Sequence, residues 1–298
     1  MHPNPDGIRV ASGSQFGDWL KSVWQYPLPQ HALSRFTHWL TRLEHPGFKD
    51  WMIRVFIRRF DVDMHEAANP DPGSYPTFNA FFTRALRADA RPVIAEQKAI
   101  ACPVDGTVSQ CGGITSGQII QAKDRDFSTH ELLGGDPTLA AKFASGLFVT
   151  LYLSPRDYHR VHMPFDGTLR RMLHVPGRLF SVNPPTTRSV PRLFARNERV
   201  AMIFDTTAGS MAVVMVGALN VGSIETVWAG EITPPRGYVL RSWDYLDDNM
   251  KFAKGAELGR FNMGSTVILL FASSQMRWET TLNPNVSVRM GQQIAHTT

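Results

Sequence analysis

Asn262-Met263-Gly264-Ser265-Thr266 runs straight into Val267-Ile268-Leu269-Leu270-Phe271. The apolar run is far shorter than the 18 or so residues of a membrane-spanning helix. Its β-branched and aromatic content, entered through a glycine turn, predicts a strand. A serine at the head of so apolar a strand can be buried and held in place. The dipeptide alone is not specific, because Gly-Ser also occurs at 13–14, 73–74, 209–210 and 222–223, and an ordinary strand start would look the same. Similar short runs flank it at Leu147–Leu153, Arg199–Asp205, Met211–Gly217, Val221–Val227 and Val286–Gln293. Turn-rich segments at Thr206–Gly209, Thr233–Gly237 and Asn283–Asn285 separate them. Many short strands at this spacing predict a predominantly antiparallel β domain over residues 93–298.

The amino-terminal part has a different texture. Residues 1–30 are rich in Pro, Gly and Ser and predict a loose extension with one helical turn around Trp19–Trp24. Over 31–92 the pattern is helical. Leu33, Phe36, Trp39/Leu40 and Leu43 recur at helical spacing, His45-Pro46-Gly47 interrupts, and Phe48, Trp51/Met52, Val55/Phe56 and Phe60 resume. Residues 74–91 suggest another short helix. The polar positions over 31–60 carry Arg35, Arg42, Lys49, Arg54, Arg58 and Arg59 against Glu44 and Asp50. Rings on one face and a basic excess on the other suit a helix lying on an anionic membrane, with Trp39, Leu40, Trp51 and Phe56 as its contacts. They suit equally a helical hairpin packed on the protein's own core. The fold class is α+β: amino-terminal amphipathic helices, then the β domain.

Composition narrows the function. Of 298 residues, 43% are apolar and 19% charged, which provides for a packed core and excludes a disordered chain. The opening residues Met1–Val10 lack a basic stretch followed by an apolar run, so no secretory signal is expected. A net charge of +5 fits an anionic surface without selecting one. Cys102 and Cys111 are too few for a disulfide framework and read as reduced thiols, and no metal site is expected.

Two further segments could carry chemistry. Pro103-Val104-Asp105-Gly106 reads as a hairpin corner or as a carboxylate that orients a histidine. Ser154–Pro164 contains His159 and His162, which face opposite ways in a strand but can converge in a turn.

Together these segments resemble the bacterial-type, pyruvoyl-dependent phosphatidylserine decarboxylases. The resemblance rests on Pro103–Gly106, Tyr158–Pro164, Leu179–Asn183, Leu193–Val200, Val221–Gly230 and Gly264–Thr266, and covers most of the chain from about residue 30. Met263 departs from the Leu-Gly-Ser-Thr form commoner in the family, a change of similar apolar size. The resemblance implies a proenzyme that cleaves itself between Gly264 and Ser265 into a β chain, 1–264, and an α chain, 265–298, which stay associated. Ser265 attacks the carbonyl of Gly264, with His162 as base and Asp105 orienting it. Elimination and loss of ammonia convert Ser265 to a pyruvoyl group, the covalent cofactor, which forms a Schiff base with the amine of phosphatidylserine and accepts the electrons left by CO2. His159 is assigned to decarboxylation or protonation. The product is phosphatidylethanolamine, and the implied location is peripheral, on the cytoplasmic side of the cell membrane. A homodimer is compatible with the family, and no nucleic acid is expected.

Other readings compete: a pyruvoyl enzyme acting on a soluble amino acid or another head group, a serine hydrolase using Ser265, His162 and Asp105, or a membrane-binding module without activity. The hydrolase lacks a Gly-x-Ser-x-Gly elbow, and the module leaves Asp105, His162 and Ser265 without a task.

Overall fold

A computed structural model describes residues 15–219, 223–233, 239–263, 266–272 and 275–298. Helices α1 (Gln15–Val23), α2 (Gln30–Leu40), α3 (Pro46–Phe60) and the short α4 (Phe78–Phe82) come first. His45-Pro46-Gly47 separates α2 from α3 because it starts the second helix: Pro46 takes the first-turn position, where no N–H is needed, and His45 caps it by accepting from Phe48 N–H at 3.4 Å. Thr77 caps α4 by accepting from Ala80 N–H at 3.0 Å. The helix expected over 74–91 is confined to Phe78–Phe82, since the chain turns at Thr83 and becomes irregular.

Residues 15–30 are more structured than their composition suggests. In place of one turn around Trp19–Trp24, α1 has nine residues and docks on the helix Pro184–Ser189. Asp18 accepts from Arg188 at 2.7 and 3.0 Å, and the Ser22 and Ser189 hydroxyls lie 2.6 Å apart. These tertiary bonds supply what local propensity lacks.

After Ala99 the chain is mostly antiparallel sheet. The largest sheet runs, in spatial order, Arg241–Asp244, Gly167–Val175, Arg199–Thr206, Gly209–Val216, Thr266–Phe271, Leu147–Tyr152, Gly106–Gly113 and Ser287–Val288. Thr266–Phe271 is central. It pairs over its whole length with Leu147–Tyr152 on one side and Gly209–Val216 on the other. A smaller sheet has the order Gly230–Glu231, Ser223–Thr226, Glu257–Asn262, Arg160–His162.

The central strand is buried at every position, without the alternation of a one-sided sheet. Val267, Leu269 and Phe271 point into one core with Val149, Val213 and Phe261, whereas Ile268 and Leu270 point into another with Phe148, Phe180 and Phe194. Material on both faces explains the uninterrupted apolar run. A third cluster joins Ile53 of α3 to Phe78, Phe81 and Phe82 of α4.

The strand expected over Val286–Gln293 is shorter: Ser287–Val288 pairs with Thr107 and Gly106, the chain turns through Gly291 at φ +85°, and Gln293–Thr297 joins a separate three-stranded sheet. Truncating the centre of the main sheet tests its importance. Leu269→Ala, at a site with no exposure, is expected to cost about 2–5 kcal/mol, read as a lower midpoint in urea unfolding.

Candidate active site

Strand Glu257–Asn262 leads towards the Gly264-Ser265 pair and lies beside the two candidate histidines. It pairs with Arg160–His162, matching Glu257 with His162 and Arg260 with Arg160, and Phe261 N–H donates to His159 O at 3.0 Å. Beyond Met263 the chain leaves this sheet, and Thr266 opens the central strand of the large one opposite Tyr152 and Val216. Gly264 and Ser265 themselves lie outside the described residues. Their described neighbours are distinctive: Met263 has φ +93°, rare for a residue with a side chain.

His159 has no exposed surface, and its ring lies 4.1 Å from that of Phe82, centroid to centroid. Nδ1 is 2.7 Å from the Asp157 carbonyl oxygen. A carbonyl only accepts, so Nδ1 carries the proton and Nε2 presents its lone pair. That Nε2 is buried and has no hydrogen-bond partner among the described residues. Burial disfavours the imidazolium and pushes the ring down to about 3, against the opposing bond to Asp157 and with help from the Arg84 charge.

His162 is fixed by the same rule. Nδ1 lies 2.8 Å from the Gly255 carbonyl oxygen and donates to it, leaving Nε2 to accept from the Tyr158 hydroxyl at 3.2 Å. Burial lowers its pKa, opposed by the Gly255 bond and the Glu257 and Asp105 charges. The neutral form suits a general base, which must start with a lone pair to offer.

Asp105 does not hold His162 in the expected way. Its carboxylate receives Arg91 Nε at 2.9 and 3.0 Å and Arg91 Nη2 at 2.6 Å, and it also accepts from Met290 N–H at 2.8 Å. Glu66 takes the same guanidinium at 2.6 Å. A planar guanidinium matches a carboxylate better than one ring nitrogen can, and the Gly255 carbonyl already occupies His162 Nδ1. Asp105 therefore reaches His162 through its charge. Gly106 follows for a steric reason, since a Cβ there would lie 2.4 Å from the Tyr152 carbonyl oxygen.

The four expected membrane contacts divide. Trp39 and Trp51 are 57% and 59% exposed, alongside exposed Trp19, Trp24 and Phe36. Leu40 is half-buried. Phe56 belongs to the third core: its ring packs within 4.5–6.0 Å of Phe60, Phe78, Phe81 and Phe82. Five residues of helix rotate Phe56 well away from Trp51. No helix among the described residues is long and apolar enough to cross a membrane.

A family model described as phosphatidylserine decarboxylase matches residues 78–296, and one described as PSD matches 20–61. The chain belongs to the phosphatidylserine decarboxylase family. It is 63% identical over 254 residues to a phosphatidylserine decarboxylase proenzyme of Alkalilimnicola ehrlichii, covering 85% of this chain and 88% of that one. It is 56% identical over 267 residues to a protein of that name from Methylococcus capsulatus, covering 90% and 93%. For the one from Azotobacter vinelandii the identity is 54% over 280 residues, covering 93% and 98%.

Sequence reasoning did not single out Tyr158, Arg91 or Gly255. Tyr158 had a signal, lying within the segment that carries both histidines. Arg91 and Gly255 had none, because their roles come from contacts 14 and 93 residues away.

The buried histidines make the fold sensitive to acid. The folded His159 ring takes its proton only near pH 3, whereas the unfolded ring takes it near 6.5. Between those values the unfolded chain binds more protons, so this stability is present above pH 6.5 and lost as pH falls. His159→Gln is expected to flatten the drop in urea midpoint between pH 7 and pH 5 relative to the unsubstituted protein.

Proposed function

We propose that this chain is a proenzyme that cleaves itself between Gly264 and Ser265 and then decarboxylates phosphatidylserine to phosphatidylethanolamine with a pyruvoyl group derived from Ser265. The observation that carries the reading is the pairing of the histidine strand with the strand entering that dipeptide, in a chain of this family. A hydrolase reading uses the same side chains, but it lacks a Gly-x-Ser-x-Gly elbow and gives the family membership no part.

In the cleavage step the Ser265 hydroxyl oxygen forms a bond to the Gly264 carbonyl carbon, and the Gly264–Ser265 C–N bond breaks. His162 Nε2 takes the hydroxyl proton and the Ser265 nitrogen receives one. The Gly255 carbonyl fixes the tautomer this requires, and the Asp105 charge favours the imidazolium that forms. Tyr158 must release Nε2 for the transfer, since its hydroxyl already occupies that lone pair.

The residues fit the pyruvoyl group on one structural ground: His159 presents a buried nitrogen lone pair with no partner among the described residues. When present, the group supplies an electron sink for the carboxylate bond that breaks. His159 handles the proton that replaces CO2. Burial keeps the ring neutral, so Nε2 must take a proton before it can give one. The Asp157 carbonyl keeps Nε2 as the working nitrogen.

The substrate lies in a bilayer, so the enzyme works at an anionic membrane surface, on the cytoplasmic side. Exposed Trp39 and Trp51, with the basic positions of α2 and α3, support this contact. Segment 265–298 remains with the larger fragment through the central strand.

Intact mass under denaturing conditions tests the cleavage. The expected species match residues 1–264 and 265–298, the smaller about 17 Da lighter than a serine-ended fragment through loss of ammonia. Ser265→Ala is expected to remain a single chain. A stable, uncleaved wild-type protein would return the hydrolase and binding-module readings to the front. Replacing Trp39 and Trp51 together by Ala is expected to weaken co-flotation with phosphatidylserine-containing liposomes at least tenfold. Undiminished flotation would place the membrane contact elsewhere.

A further inference from the structure

Asn262 ends the strand that enters the scissile pair, and its side chain is 1% exposed. Its carboxamide oxygen accepts from Asn79 Nδ2 at 2.9 Å. Its Nδ2 donates to the Ser223 hydroxyl at 2.5 Å and to Glu231 Oε1 at 3.3 Å. Ser223 also donates to Glu231 Oε1, at 2.9 Å. Glu231 is gripped from outside by Arg42 and, at 3.1 Å, by His38 Nε2. Asn79 N–H closes the circuit by donating to the Thr41 carbonyl at 2.8 Å. One buried amide thus joins α4, the strand Ser223–Thr226, the edge residue Glu231 and the carboxyl end of α2.

The next residue, Met263, holds φ +93°. Such a conformation costs on the order of 1–3 kcal/mol and persists only where its surroundings enforce it. The Asn262 network is the built anchor on its amino-terminal side. A surface carboxylate already paired with Arg42 and His38 has no evident need for a buried serine and a buried amide. Their convergence on Glu231 makes sense if the strand end must be held still.

We infer that Asn262 is a positioning residue for chain cleavage: held by Asn79, Ser223 and Glu231, it fixes the backbone entering Gly264–Ser265. Arg42 and His38 extend the anchor to α2, so the helix that bears exposed Phe36 and Trp39 is bonded to the strand end that precedes the scissile pair. The inference rests on the self-processing reading above.

Full-length chain made by cell-free translation, sampled over time and resolved by denaturing intact mass, gives the cleavage rate. Asn262→Asp removes both donors and sets two carboxylates against each other. It is expected to cleave at least tenfold more slowly than wild type, with an unchanged near-ultraviolet circular dichroism spectrum. Adding Glu231→Gln restores a donor–acceptor pair, because the amide introduced at position 231 can donate to the carboxylate introduced at position 262. The double variant is expected to recover to within threefold of wild type, which a loss of general stability would not allow. A wild-type rate in Asn262→Asp, or no recovery in the folded double variant, overturns the inference alone. A wild type that stays a single chain overturns the self-processing reading and this inference with it. Should Asn262→Asp not fold, Glu231→Ala at the exposed end of the network decides: slowed cleavage supports the inference, and a wild-type rate overturns it.

Discussion

The two-sided burial of Thr266–Phe271 is the constraint on which the rest of the structure depends. Six residues, all buried, feed two hydrophobic cores and bond to strands on both flanks. At about 25 cal/mol per Å2 of apolar surface, burying five apolar side chains on two faces is a large contribution to the fold. It also makes chain cleavage just before it tolerable. Segment 265–298 would stay fixed by ladders, by both cores and by further bonds at its far end. There Gly291 N–H donates to Cys102 O at 2.9 Å, Cys102 N–H to Gln292 O at 2.7 Å, and Met290 N–H to Asp105.

Asp105 takes on a second meaning in this light. Its carboxylate links Arg91 and Glu66, from the segment before the β domain, to the backbone at Met290 near the carboxyl end. The residue that sequence reasoning assigned to orienting a histidine is thus also a clamp between the two proposed fragments. The two roles are compatible because they use different physics: the clamp uses short, directional bonds, whereas the effect on His162 is a charge acting across a buried site.

Much of this was legible in the sequence. Gly-Ser-Thr before an apolar run marked the central strand, and the runs at Leu147–Leu153 and Arg199–Asp205 were strands within a residue of their observed ends. Periodicity marked α2 and α3, although the break between them is Thr41–His45, with Pro46 and Gly47 already inside the second helix. What escaped was non-local. Phe56 sits on the same repeating pattern as Trp51, and only the partners Phe78, Phe81 and Phe82 tell a core ring from an exposed one. Likewise α1 looked loose because its stability comes from Arg188 and Ser189, far along the chain. The histidines were visible as a pair, but their tautomers depend on two carbonyls, Asp157 and Gly255, and a carbonyl leaves no mark in a sequence.

The two histidines, one just before a short strand and one at its end, present unlike chemistry. Both rings donate Nδ1–H to a carbonyl, and burial lowers both. They differ at Nε2. That of His162 is satisfied by Tyr158, whereas that of His159 faces no partner among the described residues. An unsatisfied buried nitrogen costs on the order of 1–3 kcal/mol, a burden that packing alone gives no reason to keep. The asymmetry therefore fits the separate tasks proposed for the two rings: His162 Nε2 must exchange a partner before it acts, whereas His159 Nε2 has a lone pair that no described residue engages.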